Sequence, residues 1–466
     1  MNFVRETLVG TSVTCVRLSA PEVEAEGHSV NIVVVLDISG SMEDGFKLHN
    51  VILSLEQLLT YMRDEDFLTV VPFNGTVQRP FPVCQEPCTV TGKSVIQEKL
   101  AALRAGGNTD LGIAIQSASE VLALPLPLPA KSAVLLLTDG AATAGELDHA
   151  RLVLLQQANL AAYPEALFCT VGYGDDHEAE LCRRLALNGP YSIVRSGEDV
   201  GAVIGDLLGG LRTTVASSVR LVVPAHIRQR TTFKLNSANE ICIGNLVAGG
   251  NQVILLEGLA AEDSVGLRYS LSDGSSHLLA NIEISGPSSE IQEAGGIALL
   301  RCEVLEIMEH ARQYLTGRSP VMPAAVLEQS LVLRAKLEAL PSSPATVLLL
   351  RELNRAHGYL SAPPPPAALA RHLTNQLSQH TEYLGTARGI MSHNEEEDED
   401  PEDRNTSIFS STVQRAMSSG MAQAVRSVTL PLSPGGSGNP RAPSLAPLPP
   451  PPPFRTLSRT HSSAPS

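Results

Sequence analysis

Asp37, Ser39 and Ser41 stand in the pattern DxSxS, directly after the apolar run at residues 32–36. They offer three oxygen donors within five residues. Hard oxygen donors suit Mg²⁺, Mn²⁺ or Ca²⁺ better than zinc. Two later stretches carry matching groups. Gly106-Gly107-Asn108-Thr109-Asp110 places the Thr109 hydroxyl just before a helix, and Leu135-Leu136-Leu137-Thr138-Asp139-Gly140 places the Asp139 carboxylate after an apolar run. A small dication takes near-octahedral oxygen coordination and keeps waters or an open position. Three loops at one sheet edge can therefore share one ion. Gly40 and the Gly106-Gly107 pair let the backbone turn tightly there. The same residues have a plainer use, because Asp and Ser also cap helices. Capping and ligation are compatible, but capping alone does not explain matching oxygen donors on three loops.

The elements that must position these groups follow from hydrophobic periodicity. Residues 32–36, all Val, Ile or Leu, read as a strand buried on both faces. Asp37 then falls at its carboxyl end, where open α/β sheets place ligands. Leu48, Val51, Ile52, Leu55, Leu58, Leu59 and Met62 recur at helical steps. Strands are predicted at 67–73, 133–137, 166–171 and 191–194, with a short edge strand at 77–83. Helices are predicted at 94–103, 110–122, 146–159, 176–186 and 200–211, with Asp175 or Asp176 capping the fourth. Alternating strands and helices imply an α/β, Rossmann-like domain over 31–214, its mostly parallel sheet covered on both faces. Residues 1–30 read as a strand at 12–18 and an acidic linker. Short alternating runs between Gly- and Asn-marked turns predict a small β-sandwich over 215–286. An α-helical segment follows over 287–384, interrupted by Pro363 to Pro366, with a last possible helix at 367–383. Residues 385–466 are predicted to be a disordered tail. Eight of the nine positions 395–403 are acidic, and 405–466 hold no Asp or Glu but five Arg, with many Ser and Pro. Such composition buries too little apolar surface to fold.

Bulk composition excludes several functions. The formal net charge of −15 argues against a nucleic-acid binder, which shows a basic face. No apolar run reaches the length of a membrane span, and no signal peptide is legible, so the expectation is a cytoplasmic protein with reduced thiols. Cys84 and Cys88 lack a second Cys/His pair nearby, which leaves two loop thiols as the simpler reading over half a zinc site. His177 has no partner in a nucleophile motif and reads as structural. Gly106 to Asp110 lacks the Lys-Ser/Thr of a phosphate-binding P-loop. No catalytic residues and no enzymatic activity are therefore expected. In the tail, Arg455 and Arg459 precede Ser458 and Ser462 by three residues, as in sites for basic-directed kinases, and Pro449 to Pro453 form a polyproline spacer.

The three motifs DxSxS, Thr109 and Thr138-Asp139-Gly140, in this order on an α/β background, resemble the von Willebrand factor A (VWA) domain and its metal-ion-dependent adhesion site. The resemblance implies that Ser39, Ser41 and Thr109 are hydroxyl ligands, and that Asp37 and Asp139 act directly or through water. It implies Mg²⁺, or Mn²⁺ or Ca²⁺, with an acidic side chain of a protein partner in the remaining position: binding, not catalysis. The stretch Val171-Gly172-Tyr173-Gly174-Asp175-Asp176-His177 and the later Leu207-Leu208-Gly209-Gly210-Leu211 are similar to an intracellular branch that includes plant wavy-growth type RING ubiquitin ligases. Those ligases carry a Cys/His-rich RING, and this sequence has no zinc-ligand cluster. The alternative expectation is thus a RING-less adaptor or component of a ubiquitin ligase pathway, without ligase activity of its own.

Overall fold

The Val-rich run forms β3 (Val30–Asp37), every residue of which is buried. Its neighbours are β4 (Phe67–Phe73) and β5 (Lys131–Thr138), followed by β6 (Leu167–Tyr173) and β7 (Asn188–Val194). The sheet order is β4-β3-β5-β6-β7, with every pair parallel. The structure is a computed structural model. It describes residues 1–22, 27–78, 80–82, 86–174, 177–186, 188–194, 197–230, 233–236, 238–260, 262–271, 275–284, 288–317, 323–363, 370, 373, 377 and 412–429.

Successive side chains of a strand point to opposite faces, and both faces of β3 are covered. Ile32, Val34 and Leu36 pack with α1 (Lys47–Tyr61), α2 (Val90–Ala102) and α6 (Gly197–Arg212). Val33 and Val35 pack with α3 (Leu111–Leu122), α4 (His149–Leu160) and α5 (Ala179–Leu185). This two-sided burial is why the run is continuously apolar rather than alternating. The result is a Rossmann-like α/β fold around a parallel sheet. Some boundaries shift. Helix α2 starts four residues earlier than its apolar pattern, because Thr89 caps it by accepting from the Gly92 N–H. Helix α4 starts at His149, capped by Asp148. The predicted edge strand at 77–83 is represented, among the described residues, by isolated bridges Phe73–Val77 and Val70–Phe81. Asp175 and Asp176 lie outside the described residues.

The N-terminal segment departs from its predicted separation. β1 (Asn2–Thr7) and β2 (Val13–Ser19) belong to the β-sandwich. Strand β2 pairs antiparallel with β12 (Asn251–Glu257), from Ser19 opposite Asn251 to Val13 opposite Glu257. With β9 (Arg228–Gln229) and β15 (Glu283–Ile284) they make one sheet, β15-β1-β2-β12-β9. The second sheet is antiparallel, in the order β10 (Lys234–Leu235), β11 (Glu240–Val247), β8 (Thr214–Val222), β13 (Gly266–Leu271) and β14 (Ser276–Leu279). Val16 and Leu18 of β2 meet Val219, Leu221, Ile241 and Leu267 between the sheets. Val13 and Cys15 point the other way, toward Ile291, Ala298 and Cys302 of α7 (Ser289–Leu315). A lone N-terminal hairpin could bury neither face, so the chain closes this sandwich with strands far apart in sequence.

The helical segment packs on the α/β domain. Val304, Ile307 and Met308 of α7, with residues of α8 (Pro323–Glu338) and α9 (Pro344–Ser361), share a core with Ala179, Cys182, Tyr191 and Ile193 of α5 and β7. The predicted helix at 367–383 and the acidic run at 395–403 lie largely or wholly outside the described residues. Among the described residues, no helix is long and apolar enough to cross a membrane.

The tail needs a correction. Residues 412–429, assigned above to disorder, form α10 (Thr412–Thr429). Met417, Met421 and Val425 recur at four-residue steps, a narrow stripe that segment-wide composition averages away. Met421 and Val425 are fully buried. The receiving surface is a row of glycines on α6, Gly201, Gly205 and Gly209. A Cβ on Gly205 would lie 2.5 Å from the Met417 carbonyl oxygen, and one on Gly209 would lie 2.9 Å from Gln414 Cα. Helix backbones therefore touch directly. Gly205→Ala sets two effects against each other. Alanine favours an isolated helix by roughly 0.5–1 kcal/mol, whereas overpacking against a fixed backbone costs about 1–3 kcal/mol. The expected outcome is net loss: amide hydrogen exchange across 412–429 accelerates about tenfold or more, and slower or unchanged exchange there would refute the contact.

Candidate metal centre

Strands β3 and β5 are in-register neighbours, Leu36 opposite Leu137. Their carboxyl ends therefore bring Asp37 and Thr138-Asp139 side by side. Asp37 is fully buried. Its Oδ1 accepts the Ser39 backbone N–H at 2.8 Å, and its Oδ2 accepts the Thr138 hydroxyl at 2.6 Å. The Ser39 and Ser41 hydroxyl oxygens are 3.2 Å apart. Ser41 Oγ donates to Asp139 Oδ1 at 2.7 Å, and Lys47 Nζ donates to Asp139 Oδ2 at 2.6 Å. The structure thus gathers Asp37, Ser39, Ser41 and Asp139 into one polar cluster.

The third loop is tied to the first through the backbone. Gly106 N–H donates to Ile38 O at 2.8 Å, and Gly40 N–H donates to Gly107 O at 3.0 Å. Gly107 has φ +86°, and a Cβ there would lie 3.1 Å from Asn74 Nδ2, so only glycine fits without strain. The Asn74 amide holds the loop by donating to Gly106 O at 2.7 Å. Thr109 is buried, its N–H donating to Thr143 Oγ1 at 2.8 Å and its carbonyl accepting from Thr143 and Ala144. The loop after Asp139 therefore holds Thr109 through its backbone.

Capping does not account for these donors. Ser39 precedes the 3-10 turn Gly40–Phe46, yet its side chain makes no capping hydrogen bond. Helix α3 is capped by Asp110 rather than Thr109, and α4 by Asp148 rather than Asp139. Three contributors escape the sequence reading, and a fourth, Thr138, enters it only as part of its motif. Thr138, Asn74, Thr143 and Lys47 act through contacts 32 to 101 residues away in sequence. Only Thr138 carried a local signal, its adjacency to Asp139. His177 is buried, with Nδ1 against Gly174 O and Nε2 against the Tyr191 hydroxyl. Its ring packs where a Cβ on Gly172 would lie, which is a structural role.

The electrostatics favour a cation. Burial pushes the Asp37 carboxyl above its ordinary range, against the hydrogen bonds from Thr138 and Ser39 that favour its charged form, and the Asp139 charge raises it further. Among the described residues Asp37 makes no ion pair. No group of three His, Cys, Asp or Glu side chains there is placed to hold an ion, so any ion at this site takes hydroxyls together with two carboxylates. That donor set fits a hard, oxygen-preferring dication. Asp37, Ser39, Ser41 and Asp139 are the residues gathered here that could hold it, with Thr109 on the adjoining loop.

Residues 32–141, which contain all five, match the family profile described as von Willebrand factor type A domain. Among solved structures the chain is similar to a von Willebrand factor type A protein from Catenulispora acidiphila, with 15% identity, 72% of this chain and 85% of that one covered, and a TM-score of 0.52. It is also similar to the ArnB paralog VWA2 from Sulfolobus acidocaldarius, with 14% identity, 81% and 94% covered, and a TM-score of 0.48. A further structure is proximal thread matrix protein 1 from the mussel byssus with a zinc-occupied MIDAS motif, with 17% identity, 43% and 51% covered, and a TM-score of 0.33. No curated protein matches.

A carboxyl whose pKa is higher folded than unfolded costs stability above its folded value and none below its unfolded value. Asp37→Asn is therefore expected to raise stability in chelator at neutral pH, with the gain vanishing in acid. Saturating Mg²⁺ is expected to reverse the order. Denaturant titrations of both proteins with and without the ion check this, and a wild type as stable as the variant under chelation would refute it.

Proposed function

Starting from a VWA-type domain with these five oxygen donors on three clasped loops, we propose that the protein binds a protein partner through a divalent cation. The ion is Mg²⁺, with Mn²⁺ or Ca²⁺ as substitutes, held by Asp37, Ser39, Ser41, Thr109 and Asp139. The partner's Asp or Glu side chain completes the coordination. The observation that carries this reading is the buried Asp37, without an ion pair among the described residues, joined through Ser39 and Ser41 to Asp139. A buried carboxylate is costly without a positive partner, and a cation among these oxygens removes that cost. Ser41 is the exposed member of the cluster, so the ligand enters on its side. The bound ion supplies a Lewis-acidic position that takes an incoming carboxylate, and no bond-making step is assigned to the protein.

We place this activity inside the cell. Cys15, Cys88, Cys182 and Cys302 are buried without a disulfide. Burial pushes the Cys15, Cys88 and Cys182 thiols up to about 12. Such thiols are unreactive at neutral pH and suit a reducing compartment. Cys84 lies outside the described residues.

Pull-down of partners from lysate with Mg²⁺ or with chelator, using wild type and Asp139→Ala, tests the proposal. Expected is a partner retained by wild type with Mg²⁺ and lost about tenfold or more in chelator or with the variant. A partner retained equally in all conditions would sink the metal-bridge reading. Calorimetric titration with Mg²⁺, Mn²⁺ and Ca²⁺ ranks the ions, and equal affinity in wild type and Asp139→Ala would remove Asp139 from the ligand set.

A further inference from the structure

Lys47 is out of place by local rules. It is the first residue of α1, where the helix dipole disfavours a positive charge. The two residues before it hold left-handed backbone, Gly45 at φ +59° and Phe46 at φ +60°. For Phe46 this conformation is strained, and the residue is 76% exposed, so apolar packing does not compensate. What the arrangement achieves is the placement of one ammonium. The Lys47 stem passes over the backbone of Gly174, whose Cβ would lie 3.9 Å from Lys47 Cε. Its Nζ then reaches Asp139 Oδ2 at 2.6 Å, where the carboxylate is fully buried and the lysine side chain remains 21% exposed.

We propose that Lys47 is a built-in counter-ion of Asp139 that sets how tightly the site holds its divalent cation. The inference rests on the cation site proposed above. With Lys47 present, one of the two carboxylates is already neutralised, so an arriving dication meets less negative charge and a like charge close by. Both effects weaken ion binding. In the loaded site, two carboxylates face one ammonium and one dication, which leaves it positive by one charge and ready for one carboxylate from the partner. Partial exposure lets the ammonium move off Asp139 without unfolding α1.

Calorimetric titration of the full chain with Mg²⁺ and with Mn²⁺, for wild type, Lys47→Met and Lys47→Arg, tests this. Lys47→Met keeps the aliphatic stem and removes the charge. It is expected to bind both ions about tenfold or more tightly, to melt lower than wild type in chelator, and to gain more on adding ion. Lys47→Arg keeps the charge and is expected to retain wild-type affinity. Equal or weaker ion affinity in Lys47→Met, with wild-type circular dichroism, overturns the role of Lys47 and leaves the cation site standing. Absence of ion binding in all three proteins overturns the cation site and this inference with it.

Discussion

Two carboxylates, Asp37 and Asp139, are held within one hydroxyl-bridged cluster at the carboxyl ends of adjacent strands, out of solvent. Like charges brought together in a poorly solvated place oppose folding. Much of the local structure can be understood as managing that cost. Thr138 and the Ser39 N–H address Asp37, Ser41 and Lys47 address Asp139, and the Gly106-Gly107 loop closes over the cluster through backbone bonds to Ile38 and Gly40. What remains is a demand for positive charge at Asp37, which the proposed cation would meet.

The sheet makes this possible because it is rigid on both faces. β3 presents alternate side chains to two separate helical layers, so Asp37 cannot retreat from its position without disturbing a close-packed core. Loops carry the chemistry and buried strands carry the precision, the usual division in α/β folds. The polar links among Asn74, Gly106, Asp110 and Thr109 extend the same fixation to a loop that has no strand of its own.

The surrounding segments form one packed unit with the domain. The β-sandwich is closed by β1 and β2, α7 covers its outer face, and the helical segment shares a core with β7. Helix α10 returns to the glycine row of α6. A surface built in this way fixes the orientation of its elements around the candidate site. The exposed Phe46 and the Asp139-bound Lys47 stand together at the start of α1.

The sequence by itself determined the α/β domain, its covered parallel sheet and the five candidate donors. Those conclusions rest on local patterns, namely a continuous Val/Ile run before Asp37, helical steps from Leu48 to Met62, and oxygen donors at the ends of predicted strands. Only the tertiary structure decided the rest. Lys47 and Thr143 touch the site through contacts 92 and 34 residues away in sequence, for which no local pattern exists. Strand β2 has its partner at β12, more than 230 residues on, so its place in the sandwich is a matter of long-range pairing. The tail helix was hidden because its apolar stripe, Met417, Met421, Ala422 and Val425, is short and is completed by glycines on another helix. DxSxS therefore fixes where the site lies, while the charge balance within it depends on a lysine that only folding brings to Asp139.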